Sequence, residues 1–166
     1  MKKIILALFA IGIAVPSFAQ VVTLPEVVVS ARNYKYLDDV NNASAAQPVQ
    51  MLERYATTYD VRDSEYYEDE YDKYFISFFI PKGKILAAYD DEGNLLRTIE
   101  KYENVKLPLA VSKTAAKEYP GWKIIKDAYL VSYHDNLGVT KKEYKLVLEK
   151  GNNRIRIKTD ENGNIL

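Results

Sequence analysis

The sequence predicts an α+β protein: helices packed on one face of an antiparallel sheet, laid down as two similar helix-plus-strand units. Three observations predict it. Lys73–Leu96 (KYFISFFIPKGKILAAYDDEGNLL) and Glu143–Leu166 (EYKLVLEKGNNRIRIKTDENGNIL) align without a gap at an offset of 70, with six of 24 positions identical. A fixed-offset repeat of this kind decides the fold before any other signal. A Pro-started amphipathic helix precedes each copy. Within each copy, apolar residues alternate at the strand period of two, between turns rich in Gly, Asn and Asp.

The chain opens with an expected export signal over residues 1–19. Lys2-Lys3 give a positive n-region, Ile4–Val15 an apolar stretch, and Pro16-Ser17-Phe18-Ala19 a small-x-small end, so cleavage is expected before Gln20. The apolar stretch is shorter than the roughly 20 residues a membrane span needs. The chain has no Cys, so neither a lipid anchor nor disulfides are expected, and an apolar core rich in the 14 Tyr must hold the exported chain together. A periplasmic or secreted location follows, with no stable membrane insertion after signal removal.

Residues 20–47 read as an extended segment and linker. Val21–Ala31 is β-prone but carries Pro25, which confines it to an edge strand or a tether. Asn33–Gln47 reads as linker and turn. The first unit spans 48–106 and the second 107–166. Pro48 and Pro108 stand where a missing N–H costs nothing. Behind them, Val49, Leu52, Ala56 and Tyr59, then Val111, Ala115 and Tyr119, fall on one helical face. Strands follow at Tyr74–Ile80, Lys84–Tyr89 and Leu95–Tyr102, then at Trp122–Tyr133, Glu143–Lys150 and Arg154–Thr159, with a loop over His134–Thr140. Asp90–Asn94 and Asp160–Asn164 read as hairpin turns with Gly in the left-handed position. The second unit lacks a strand matching Leu95–Tyr102.

Strand periodicity divides the faces. Tyr74, Ile76, Phe78, Ile85 and Ala87, with counterparts Tyr144, Leu146, Leu148, Ile155 and Ile157, form the helix-covered core face. The opposite face diverges between copies. In the second it is wet and basic, with Lys145, Arg154, Arg156 and Lys158. In the first it is apolar, with Phe75, Phe79, Leu86 and Ala88. A strand apolar on both faces reads as buried, here under the other half or under Val21–Ala31. The alternative is a partner-binding patch.

The charge of residues 20–166 is 21 basic against 23 acidic, unevenly placed: 10 against 16 up to Lys106, and 11 against 7 beyond it. This gives two solvated surfaces of different composition, or a sign-matched docking surface. No concentrated basic footprint points to nucleic acid. Ser64–Asp72 (SEYYEDEYD) holds five acids among nine residues, in a spacing that matches no cation-binding loop. With no Cys and one His, zinc catalysis has no ligand set. There is no G-x-S-x-G elbow and no Gly-rich phosphate loop. The 23 acids always offer carboxylate pairs, and nothing in their spacing marks one. Neither a catalytic residue, nor a metal, nor a cofactor is expected.

The Pro-started helix, Tyr119-Pro120-Gly121-Trp122 link, hairpin and Asp160–Asn164 turn of Leu107–Leu166 resemble the PepSY-like, β-lactamase-inhibitor-like proteins exported by bacteria. Pro48–Tyr102 looks like a more divergent copy. The resemblance implies tandem helix-plus-sheet units and a sheet surface that clamps another protein; it brings no catalytic residue. Some related envelope proteins carry a nicotinate-nucleotide adenylyltransferase label. That chemistry is expected to show His-x-Gly-His, whereas His134 stands in His-Asp-Asn-Leu. The leading expectation is a non-enzymatic exported module that binds an envelope or secreted protein. Phe75, Phe79 and Leu86 would be apolar anchors, and Lys145, Arg154, Arg156 and Lys158 steering charges. The alternatives are a cation-binding or envelope-stress accessory protein using Glu65–Asp72, and, third, an enzyme. The partner and the oligomeric state are left open.

Overall fold

The computed structural model describes residues 33–166, so the expected signal and Val21–Ala31 lie outside the described residues. Six strands, β1 (Lys73–Ile80), β2 (Gly83–Asp90), β3 (Leu95–Glu103), β4 (Lys123–His134), β5 (Gly138–Lys150) and β6 (Asn153–Thr159), form one sheet in sequence order. Every neighbouring pair is antiparallel. Three helices, α1 (Tyr34–Val40), α2 (Gln47–Thr58) and α3 (Leu109–Glu118), complete the α+β plan. The sheet does not divide at the repeat boundary, because β3 and β4 pair from Arg97↔His134 to Glu103↔Ala128.

The helix starts follow the prolines. Pro48 lies in the first turn of α2, which buries Val49, Leu52 and Ala56. Pro108 caps α3, which buries Val111 and Ala115. The sheet's inner face supplies Tyr74, Phe78, Ile85, Ala87, Tyr129, Tyr144, Leu146 and Leu148 to a single core shared by both halves. Burial of this apolar area is the main stabilising term.

The two Asp-to-Asn turns have the same bonding. Gly93 and Gly163 take φ of 83° and 84°. Asp90 and Asp160 each accept from the Asn four residues on, at backbone N (2.7 and 2.8 Å) and at side-chain Nδ2 (2.8 and 2.7 Å). After the first turn the chain continues as β3. After the second, only a bridge between Thr159 and Ile165 follows.

Two expectations need correction. Part of Asn33–Gln47, read as linker, is helix α1. Its sequence YKYLDDV gives no strong helix signal, and tertiary contacts hold it. Tyr36 is buried, Asn33 Nδ2 donates to Gly93 O at 3.2 Å, and Lys142 Nζ donates to Val40 O at 2.9 Å. The expected loop over His134–Thr140 is instead a tight turn at Asp135–Leu137, because Gly138 (φ 68°) lets the chain reverse at once. β5 therefore begins at Gly138, paired with His134.

Candidate functional site: the outer sheet face

Register places every predicted binding residue on one face, opposite the core. Along the strands, outward positions pair as Phe75↔Ala88, Ser77↔Leu86 and Phe79↔Lys84, and as Leu86↔Ile99 and Lys84↔Lys101. Further on they pair as Ile99↔Ser132, Ala128↔Lys145, Lys145↔Lys158, Val147↔Arg156 and Glu149↔Arg154. The apolar anchors and the basic residues thus share one surface but stand near opposite edges. Five strand spacings separate β1 from β6, about 24 Å.

The other half does not bury the first-half face, and the alternative cover, Val21–Ala31, lies outside the described residues. Phe75 is 68% and Phe79 70% exposed, with Leu86 and Ile99 half-exposed beside them. The helices lie on the inner side, so no described element covers this face. Only Ala88 is buried there, between the longer side chains of Phe75 and Arg97 on its paired neighbours. An exposed edge strand with two bare Phe is a liability that folded chains ordinarily blunt with charge. β1 carries its only charge at Lys73.

The basic half is partly self-compensated. Arg154 Nε meets Glu149 Oε2 at 2.6 Å, and Lys101 meets Glu103 at 2.5 Å. Lys101 holds the Glu103 carboxyl below its usual range. Lys145 reaches only Glu143, at 3.6 Å, which Lys141 approaches more closely at 3.2 Å. Arg156 and Lys158 make no ion pair with a described residue. A depression of about 470 Å³ crosses this region, walled by Lys126, Lys145, Arg156 and Lys158 above Ala128 and Val147.

The acids of Ser64–Asp72 form an exposed stretch before β1. The structure does not draw them together: among the described residues no group of three or more His, Asp or Glu side chains could hold a metal ion.

A pair of carboxyls that sequence reasoning did not single out lies in the core. Glu100 of β3 accepts hydrogen bonds from Tyr36 Oη (2.7 Å), Thr98 Oγ1 (2.8 Å) and Tyr102 Oη (2.8 Å). Glu53 of α2 accepts from Asn42 Nδ2, which is itself held by Tyr129 Oη donating to Asn42 Oδ1 at 2.6 Å. Burial, then the charge of Glu100, pushes the Glu53 carboxyl up to about 9, so Glu53 keeps its proton and shares it with Glu100. Burial raises Glu100 as well, against its three hydroxyl donors. Glu53 shows 2% of its surface, at the floor of a depression between α1 and α2. Asn42 occupies one side of its carboxyl and Glu100 the other, so the pair is a structural device that fastens α2 to the sheet.

No family model and no curated protein matches the chain. Among solved structures, a BLIP-like protein from Bacteroides fragilis is similar over 57% of this chain and 73% of that one, at 16% identity and a TM-score of 0.31. The reading of fold and site rests on this chain's own geometry.

Proposed function

We propose that the protein is a non-enzymatic binding module that recognises a protein partner through the outer face of its sheet. The observation that carries the reading is the bare aromatic pair Phe75 and Phe79 on edge strand β1, continuous with half-exposed Leu86 and Ile99. Aromatic anchors dominate the energetics of protein interfaces, and large exposed apolar patches mark them. The basic residues at the far edge would steer encounter and fix orientation. Together the two edges span the width of a standard interface, about 800 Å² per partner. The export signal expected over residues 1–19 sets this partner in the periplasm or outside the cell.

A photo-crosslinking residue at Ser77, between the two Phe, tests the reading in the native cells. A discrete protein adduct that disappears in Phe75→Asp/Phe79→Asp is expected. An adduct unchanged by that double substitution would refute it.

A further inference from the structure

We infer that the basic half of the outer face, centred on Lys145, Arg156 and Lys158, receives an acidic segment of the protein partner. This rests on the binding-module reading above and adds the chemistry of what is bound.

Lys145 and Lys158 are direct cross-strand partners on the same face, and so are Lys84 and Lys101. Like charges directly opposite each other destabilise a sheet. The chain therefore carries a folding cost on this face twice over, and at Lys145/Lys158 its own acids barely relieve it. Glu143 is 3.6 Å from Lys145 and is shared with Lys141, while Lys158 and Arg156 have no ion-pair partner among the described residues. A partner carboxylate between Lys145 and Lys158 would relieve the repulsion and gain from both.

Edge protection does not account for these charges. Lysines on an edge strand guard against strand pairing. That explains the β6 residues, but Lys126 stands on β4 and Lys145 on β5, both interior strands. The opposite edge, β1, carries Phe where protection would place charge.

Lys101, Lys126, Lys145, Arg156 and Lys158 wall a depression with an apolar floor of Ala128 and Val147. The two carboxyls that also line it are engaged within the chain, Glu103 by Lys101 and Asp127 by the Val105 N–H. A carboxylate side chain can enter between the cations while neighbouring apolar atoms meet the floor. A flat anionic bilayer fits worse, because a planar surface cannot enter the depression to reach Ala128 and Val147. Nucleic acid fits worse too, because Glu103, Glu143 and Glu149 interrupt the basic residues, and no continuous basic footprint is left to track a phosphate backbone.

The test is titration of the isotope-labelled full-length protein with poly-L-glutamate, read by amide chemical shifts. Phosphatidylglycerol vesicles and duplex DNA are run in parallel. Shifts confined to β4–β6 around Lys145, Arg156 and Lys158 are expected, weakening with salt. Lys145→Glu/Lys158→Glu should lower affinity at least tenfold, while Lys113→Glu/Lys117→Glu on α3 should leave it unchanged. No binding overturns the inference; so does equal loss in both double variants, which would mean diffuse charge. Binding of vesicles or DNA at these residues without poly-glutamate binding overturns it as well. The Ser77 adduct and the poly-glutamate titration together separate the two readings. If the Ser77 adduct forms while poly-glutamate fails to bind, only this inference falls. If poly-glutamate binds and no adduct forms, the aromatic reading falls and the acidic-segment site stands.

Discussion

The Tyr36 hydroxyl donates to Glu100 Oε1 at 2.7 Å, between residues 64 apart in sequence. That bond ties α1, the first described helix, to the middle of the sheet. It also supports the charged form of a carboxylate that burial disfavours. Tyr36→Phe removes the donor and leaves the ring packing, including the edge contact with Tyr133 at 5.2 Å. Removing one partner of a buried hydrogen bond costs about 1–3 kcal/mol, so urea unfolding should show a loss of that order.

Glu53 gives the fold a pH dependence. Its carboxyl is raised from 4.5 to about 9 in the folded chain, mainly by burial. Above pH 4.5 the unfolded chain releases this proton while the folded chain keeps it. The stabilisation is therefore full below that pH and is lost as pH rises toward about 9. Thermal melts should show Tm falling steadily between these limits. Glu53→Gln, which keeps the amide-sized shape without titrating, should flatten that slope even if it lowers Tm throughout. An unchanged slope would mean Glu53 is not the group responsible.

The two hairpin glycines Gly151 and Gly163 should respond differently to Ala, though both have positive φ (57° and 84°). A Cβ at Gly151 meets nothing within 4 Å, so Gly151→Ala should cost about 1–2 kcal/mol from backbone strain alone. A Cβ at Gly163 would stand 2.7 Å from both Ala110 O and Thr114 Oγ1 on α3. Gly163→Ala should therefore cost more, and denaturant unfolding of the two variants should preserve that order.

The helices behind Pro48 and Pro108, the inner-face residues and both turns were legible because each has a local signature: proline at a helix start, alternation, and a left-handed Gly. Helix α1 was not, because long-range bonds from Asn33, Tyr36 and Val40 hold it, and these leave no periodic trace. Glu100 was hidden by alternation itself. In Thr98-Ile99-Glu100-Lys101-Tyr102, hydropathy favours Ile99 inward, yet the register turns Ile99 out and Glu100 in. Glu53 was hidden inside the apolar stripe of α2, between Val49 and Ala56. The exposure of Phe75 and Phe79 was beyond reach for a related reason: a strand apolar on both sides looks the same whether its second face is covered by its own chain or left for another.

Phe75 and Phe79 therefore carry the most direct measurement. In the Phe75→Asp/Phe79→Asp variant, stability should stay within about 0.5 kcal/mol of the parent, as for surface positions, and the helical and sheet signals should be unchanged. In native cells the same variant should lose the protein adduct formed from a crosslinker at Ser77. A folded variant without the adduct is the result this account predicts. A variant that unfolds, or one that folds and keeps the adduct, would contradict it.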